Sequence, residues 1–428
     1  MRSDMAKGCD TKWIGGKGLV PVLRFPEFKK EWEIDMMQSM FDMKNGYTPS
    51  KSNSEYWNDG TIPWFRLEDI RKNGHILSDS IQHVTPQAIK NSSLFPAYSI
   101  IVATTATIGE HALIIVDSLA NQRFTFLTKR KSFEDKIDMM YFHHYMFVID
   151  EWCKKNTNSG GLISVNMPAF KQLLIPFPSP DEQSKIAGCL SSIDEEINAM
   201  KEKVEELKTH KKGLVQKLFP IIGKFLPEVR FHDFSTNWEV DFMQNIFDMK
   251  NGYTPSKSNP EYWNDGTIPW FRMDDIRKNG HILSDSIQHV TPQAIKNSGL
   301  FPAYSIIVAT TATIGEHALI IVDSLANQRF TFLTKRKSFE DKIDMMYFHH
   351  YMFVIDEWCK KNTNSGGLIS VNMPAFKQLL IPFPSPDEQS KIAGCLSSID
   401  ELISLYEGKV ILLEQHKKGL MQQLFLKL

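Results

Sequence analysis

The sequence predicts an α+β chain in which two mixed α/β domains are separated by a long antiparallel two-helix coiled coil, with pseudo-two-fold symmetry overall. Three observations predict it. One module is written twice, nearly unchanged, at an offset of 206 residues. Each copy carries short β-branched runs separated by turn residues, and each closes in a helical segment whose apolar residues recur in alternating steps of four and three.

The repeat comes first because it fixes the domain count. Phe41 to Glu195 aligns without gaps on Phe247 to Glu401 with four mismatches: Ser54/Pro260, Leu67/Met273, Glu68/Asp274 and Ser93/Gly299. Related lead-ins, Val20-Pro-Val-Leu-Arg-Phe-Pro-Glu-Phe28 and Leu226-Pro-Glu-Val-Arg-Phe-His-Asp-Phe234, precede the heads, so the repeat starts near residue 20. The expected division is a leader at 1–19, a first head at 20–178, a first helix at 179–219, a linker with the second head at 220–384 and a second helix at 385–428.

Composition sets limits on this plan. A chain of 428 residues with 42% hydrophobic content holds two or three cores and is not globally disordered. It has no apolar run of eighteen residues, and the stretch Met1 to Gly18 is polar and glycine-rich without a signal core, which places the protein in the cytoplasm with no membrane partner. Four of the five cysteines are two positions seen twice, Cys153 with Cys359 and Cys189 with Cys395, and their spacing indicates neither a disulfide framework nor a zinc site. With a formal net charge of −1, a nucleic-acid surface must be a local patch or be completed by a partner.

Within a head, Ser99-Ile-Ile-Val-Ala-Thr104, Ala112-Leu-Ile-Ile-Val116 and Phe124-Thr-Phe-Leu-Thr128 predict strands. Asp138 to Cys153, rich in Met, Tyr, Phe and His and free of Gly and Pro, predicts a buried helix lying on that sheet. After each head, Ser179-Pro180-Asp181-Glu182 opens a helix, with Ser as cap, Pro at the first helical position and Glu three after the cap. Its seam is Ile186, Leu190, Ile193, Ile197, Met200, Val204, Leu207, Lys211, Leu214 and Leu218, and the second copy gives Ile392, Leu396, Ile399, Ile403, Tyr406, Val410, Leu413, Lys417, Leu420 and Leu424. The seam keeps its character where the flanking surface drifts, which a merely solvated amphipathic helix does not require. Because the first helix ends at the second head and the second helix starts there, pairing must be antiparallel. Each seam runs for roughly 50 Å at 1.5 Å per residue, a ruler between the heads. The two seam lysines are expected to carry their charge to the edge of a thin interface.

The motifs that recur in order in both copies are Asn45-Gly-Tyr-Thr-Pro-Ser50, Tyr56-Trp57-Asn-Asp-Gly-Thr-Ile-Pro-Trp64, Ala103-Thr-Thr-Ala-Thr-Ile-Gly109, Asn121-Gln122 and Ile175-Pro-Phe-Pro-Ser-Pro-Asp-Glu-Gln-Ser-Lys-Ile186. Together, from about Val20 to Leu428, they resemble the target-recognition domains and conserved helices of the specificity subunit of type I restriction-modification systems. The resemblance implies a non-catalytic subunit that binds double-stranded DNA, docks two modification (adenine methyltransferase) subunits and, for cleavage, joins restriction subunits carrying a motor and nuclease. It implies no cofactor in this chain, with S-adenosylmethionine and ATP/Mg belonging to the partner subunits. The two heads of such subunits usually differ and read an asymmetric target; here they are almost the same.

Catalytic constellations are weak. Asn259-Pro-Glu-Tyr262 is only a faint match to the Asn-Pro-Pro-Tyr of adenine methyltransferases, since the first copy has Ser54 in place of Pro and no glycine-rich cofactor loop precedes either. Pro180-Asp181 with Glu182 and Lys185 has the residue types of a nuclease cluster but opens a capped helix, where acids suit the positive dipole end. Gly15-Gly-Lys-Gly18 lacks phosphate-loop spacing, and the adjacent His143 and His144 cannot form an i, i+4 metal pair.

DNA-contact candidates are more numerous. Arg66, Asn121, Gln122 and Arg123 have side chains that bond base edges, and Thr104 or Thr105 suits a thymine methyl or a phosphate. Lys129-Arg130-Lys131 follows a strand, and Lys154-Lys155 leads into Asn156-Thr-Asn158-Ser-Gly-Gly161, a loop whose alternative role is a solvated surface. The second copy repeats them as Arg272, Thr310, Thr311, Asn327, Gln328, Arg329, Lys335, Arg336, Lys337, Lys360, Lys361, Asn362 and Asn364. Trp57 and Trp64 read as core, and Tyr47, Thr48 and Ser50 as pins of the first turn. A symmetric protein-interaction scaffold and an orphan decoy without partners are the competing readings.

Overall fold

The computed structural model describes residues 20–89, 94–158, 163–296, 299–364 and 369–427. The expected leader and the Ser159–Gly161 end of the first polar loop lie outside them. By contact density the chain forms two compact units, 1–200 with 409–428, and 201–408. The boundary therefore falls inside each long helix rather than at the head–helix junctions, and each unit holds one head with the near halves of both helices.

In the first head the chain enters through β1 (Glu33–Met36) and α1 (Met37–Met40) and continues as β2 (Phe41–Asn45), β3 (Ile62–Phe65), α2 (Leu67–Asn73), β4 (Ile76–Leu77) and β5 (His83–Val84). There follow β6 (Ser99–Ala103), β7 (His111–Ile114), β8 (Leu119–Ala120), β9 (Phe124–Lys129), α3 (Met139–Lys155), β10 (Thr157–Asn158), β11 (Ser164–Val165), α4 (Met167–Gln172) and β12 (Leu174–Phe177). The sheets order as β2-β9-β6-β7-β4 and β5-β3-β8, with antiparallel two-stranded pairs β1-β12, which joins the two ends of the head, and β10-β11. The three strand runs and the helix anticipated from composition are β6, β7, β9 and α3.

Alternation along β6 explains why its run is apolar throughout. Ile100 and Val102 face a core with Leu113, Leu127 and the α3 residues Phe142, Tyr145 and Ile149. Ile101 and Ala103 face a second core with Trp64, Phe65, Ile114 and Phe126. A sheet covered on both faces needs no polar side. Asp138 starts α3 by accepting from the backbone N–H of Met140 and Tyr141 at 2.8 and 3.0 Å.

The second head, from Glu239–Phe242 to Leu380–Phe383, repeats this order and pairing at the same offset; only the helix Met373–Lys377 ends one residue earlier than its counterpart. The same inner residues build its two cores.

The long helices are α5 (Pro180–Leu218) and its counterpart Pro386–Leu424. Every seam residue is buried or half-buried. In the first unit, Ile186 and Leu190 share a core with Leu424, Lys417 Nζ lies 2.6 Å from both carboxylate oxygens of Asp194, and Lys409 pairs with Glu196 at 2.9 Å. Numbers rise along one helix as they fall along the other, so the pairing is antiparallel. In the second unit Leu218 packs with Ile392 and Leu396, Lys211 Nζ lies 2.6 Å from both oxygens of Asp400, and Lys208 pairs with Glu407 at 2.9 Å. The seam lysines thus do not simply carry their charge to the edge: each is held by a carboxylate and lies against a ring, Lys417 over Phe147 and Lys211 over Phe353.

The helix start also differs from a capping box. Glu182 is 1% exposed and accepts from Arg24 Nε and Nη2, both at 2.8 Å, and from Trp32 Nε1 at 3.3 Å. A buried carboxylate facing a guanidinium has a better partner than the backbone N–H of the capping Ser179. Gln183 is fully engaged: its Oε1 accepts from Asp138 N–H, and its Nε2 donates to the carbonyls of Lys136 and Pro178. The Asp-Glu-Gln motif is a clamp that joins α5 to the start of α3 and to the lead-in. Arg230, Glu388 and Gln389 repeat it.

No described helix is long and apolar enough to cross a membrane, and among the described residues no group of three or more His, Cys, Asp or Glu side chains is arranged to hold a metal ion.

Candidate nucleic-acid interface

The geometry is built from the ends of three strands. β3 runs parallel to β8, with Trp64 opposite Leu119 and Phe65 opposite Ala120, so the residues that follow them, Arg66 and Asn121, emerge side by side. Asn121 N–H donates to the Phe65 carbonyl at 3.0 Å. The Asn121 side-chain oxygen accepts from Arg123 N–H at 3.0 Å, closing a turn that presents Gln122 and Arg123 to solvent. Gly46 completes the turn, because a Cβ there would lie 2.3 Å from the Ala120 carbonyl oxygen. That close approach brings Thr48 to Gln122, and the hydroxyl donates to the amide oxygen. Tyr47 hydroxyl donates to the Ala88 carbonyl and Trp64 Nε1 to the Tyr47 carbonyl, which makes this motif a set of pins.

Arg66 is rooted by Asp69, a fully buried carboxylate whose Oδ2 accepts from Arg66 N–H at 2.7 Å and whose Oδ1 accepts from Ile81 N–H at 2.6 Å. The guanidinium lies 5.9 Å from the Trp64 ring and 3.0 Å from Glu68. Its Nε is buried without a partner. In the second head the same roots place Arg272, Asn327 and Arg329 around a cleft of about 240 Å³, together with Asp274, Arg277 and Thr313 over a floor of Met273 and Phe330. Three separate sequence motifs therefore converge: the arginine after the Ile-Pro-Trp strand, the Asn-Gln-Arg turn and the Ala-Thr-Thr-Ala-Thr loop. Arg277 and Thr313, with Arg71 and Thr107 as their counterparts, were missed. The signal for Arg277 was the short helix Met273–Asn279 directly after Arg272, and that for Thr313 was the quoted threonine motif itself, of which only the first two threonines were taken.

Other candidates are distributed differently. Thr104 and Thr310 are buried; the Thr104 hydroxyl donates to the Arg123 carbonyl and shares a bond with Thr125, so it closes the strand end and is no surface contact. Lys129 Nζ donates to the carbonyls of Glu134 and Ile137 and pairs with the Glu134 carboxylate, as Lys335 does with Glu340 and Ile343. Arg130 and Arg336 pair with Asp42 and Asp248, and Lys154 and Lys360 pair with Glu151 and Glu357, all on the surface. Lys131, Lys155, Lys337 and Lys361 are exposed.

Asn156 and Asn362 end the long head helices by donating to the carbonyls of Trp152 and Trp358. Asn158 and Asn364 sit in the hairpin β10-β11 and its counterpart, and a bridge from Ser164 to Thr105, repeated as Ser370 to Thr311, lays each hairpin beside the threonine loop. Behind that loop, Gly109 at φ +93° has a Cβ position only 3.2 Å from Asp150. Asp150 accepts from His111 Nδ1 at 2.9 Å, and His143 and His144 are buried beside it rather than facing solvent. Burial holds the His144 imidazole down at about 3 and His143 well below its usual range, and raises the Asp150 carboxyl.

The chain matches the model of the type I restriction modification DNA specificity domain twice, over residues 29–209 and 235–415. It is 48% identical over 172 residues to the specificity subunit of the type I restriction enzyme EcoprrI of Escherichia coli, a match covering 40% of this chain and 43% of that protein. To the MjaVIII specificity subunit of Methanocaldococcus jannaschii it is 24% identical over 419 residues, 94% of this chain and 93% of that one. The matches to the EcoprrI and MjaIX subunits span 43% and 63% of their lengths. Among solved structures, the S subunit of a type I restriction-modification system from M. genitalium is similar in fold, with a TM-score of 0.57 at 16% identity over 95% of this chain and 99% of that one. A chain solved in work on assembly of the type I R-M system gives 0.60 at 14% identity, covering 92% and 96%.

Proposed function

Because the chain belongs to the type I restriction-modification DNA specificity family, with two matched domains, we propose that it is the DNA-recognition subunit of such a complex and performs no chemistry itself. Each head reads one half of a bipartite target. The long helices set the spacing and dock two modification subunits that bind S-adenosylmethionine. Restriction subunits with ATP and Mg join for cleavage, and the complex works in the cytoplasm. The observation that carries the reading is the cleft where Arg272, Arg277 and Arg329 meet Asn327 and Thr313, a concentration of base-edge and phosphate donors in a chain with almost no net charge.

The near-identity of the heads supports a target whose halves are the same sequence on opposite strands, a split palindrome, because like readers recognise like bases. The reading is tested by gel shift of duplex DNA with this chain and its modification subunit, followed by sequencing of methylated adenines in cells expressing both. A single split palindrome is the expected result. Failure to retain any DNA sequence preferentially would overturn the function, and two unrelated half-sites would overturn the palindrome.

A further inference from the structure

We propose that the arginine and the acid two residues after it, Arg272 with Asp274 and Arg66 with Glu68, together read one G·C base pair in the major groove of each half-site. The inference rests on the DNA-reading function above and names the subsite. In it the guanidinium donates to guanine O6 and N7, and the carboxylate accepts from the cytosine 4-amino group. These are the two hydrogen-bond faces that a G·C pair shows side by side in that groove.

The support for each arginine is more elaborate than a loosely held surface charge requires. Asp275, fully buried, spends one oxygen on Arg272 N–H at 2.7 Å and the other on Ile287 N–H at 2.6 Å, which fixes the backbone at the cleft wall. The guanidinium lies 5.9 Å from the Trp270 ring, and the side chain is only 25% exposed. Arg272 Nε is buried without a partner, while its terminal Nη1 lies at the rim, 4.0 Å from Asp274. Arginine walled in this way loses little rotamer freedom when it binds, and its planar fork fits a bidentate acceptor.

The acid decides between base and backbone. Asp274 lies 4.0 Å from Arg272 and 3.9 Å from Arg277, and its side chain is 60% exposed at the rim. A phosphate entering there would meet a carboxylate, which repels it. A base pair offering two acceptors and an amino donor meets an arginine and an acceptor in matching order. In the first head the longer Glu68 closes on Arg66 to 3.0 Å, the same pair at a different separation. Of the differences between the heads, this one and Leu67/Met273 touch the cleft, and only this one lies in the arginine's ion pair.

The test uses the full chain assembled with its modification subunit. Duplexes selected from a random pool define the target, and each position is then replaced singly. Wild-type complex should lose about tenfold to a hundredfold in affinity when one particular G·C pair of a half-site is exchanged. Arg272→Gln should abolish that preference in one half-site only, with the other half-site unchanged and melting within a few degrees of wild type. Asp274→Asn should weaken it in the same half-site. The inference is overturned if Arg272→Gln weakens all sequences equally and lowers the salt dependence by about one counterion, the signature of a phosphate contact. It is also overturned if selectivity is untouched. Loss of sequence preference by the wild-type complex would instead sink the DNA-reading function itself.

Discussion

His143 and His144 are 3% and 0% exposed, and each has a ring nitrogen with no partner, as does His111 beside them. An imidazolium placed there has no water to replace its hydration, so burial lowers its affinity for a proton. Folded, both histidines stay neutral to well below their ordinary range, His144 to about 3; unfolded, they gain protons near 6.5. Between those limits the unfolded chain binds more protons, so stability is full above about pH 6.5 and is lost as pH falls below it. The raised Asp150 carboxyl works in the opposite direction, but it is one group against two, and its bond to His111 restrains it. His349, His350 and Asp356 repeat the arrangement. Thermal melting should therefore fall between pH 7 and pH 5, by ~2 kcal/mol or less for each histidine. His144→Gln should flatten that dependence; a variant as pH-sensitive as wild type would refute it. The adjacent His-His pair was visible in the sequence, but its burial was not, because the residues that enclose it come from β7 and from α5, where Ser191 meets His144.

At the scale of elements, the seam shows what spacing can and cannot reveal. Four-three periodicity picked out residues that are all buried or half-buried, though it left out the buried Ala187, Val215 and Ala393, and chain direction required antiparallel pairing. The periodicity did not show why Lys211 and Lys417 occupy inward positions, since their partners, Asp400 and Asp194, lie 189 and 223 residues away in sequence. Only a known register puts such residues together. The lysine side chains are 14% and 13% exposed, while the acids are about one-third exposed. Removing an acid strands an ammonium against a phenylalanine ring. Asp194→Ala should cost about 2 kcal/mol, less than a fully buried pair because water still reaches the carboxylate. Asp194→Leu combined with Lys417→Met should recover most of that loss in melting experiments, since apolar replacements of similar volume tolerate the seam. If the double variant were as unstable as the single one, the pair would be contributing packing rather than charge balance. The same distance argument explains the cleft: Arg66 and Asn121 were picked out as types, but their convergence depends on β3 lying parallel to β8, a pairing no local pattern announces.

Across the whole molecule, each head is completed by the end of a long helix that lies outside its own run of strands. In the second unit that end comes from α5: Phe219, 1% exposed, stacks on Tyr351 at 5.0 Å, and Val229 N–H donates to the Lys217 carbonyl. In the first unit the equivalent part is the end of the helix Pro386–Leu424. Phe425, 3% exposed, lies 5.5 and 5.2 Å from the rings of Tyr141 and Tyr145, and Leu23 N–H donates to the Gln423 carbonyl. The first head therefore closes its core with residues at the end of the second long helix, although its own strands end at Phe177. The sequence alone did not announce this, because Leu218-Phe219 reads as the start of a linker and Leu424-Phe425 as the fraying end of a helix. Removing the Phe425 ring leaves a cavity against two buried tyrosines whose hydroxyls cannot fill it, a change that costs about 3–5 kcal/mol for a buried phenylalanine. Phe425→Ala should consequently lower the melting of the first head, read through Trp32 and Trp64 fluorescence or hydrogen exchange of β6 and β9, while the exchange of the strands Ser305–Ala309 and Phe330–Lys335 in the second head stays at wild-type rates. Phe219→Ala should give the reverse pattern. Equal loosening of both heads by either substitution would mean that the units do not keep separate cores.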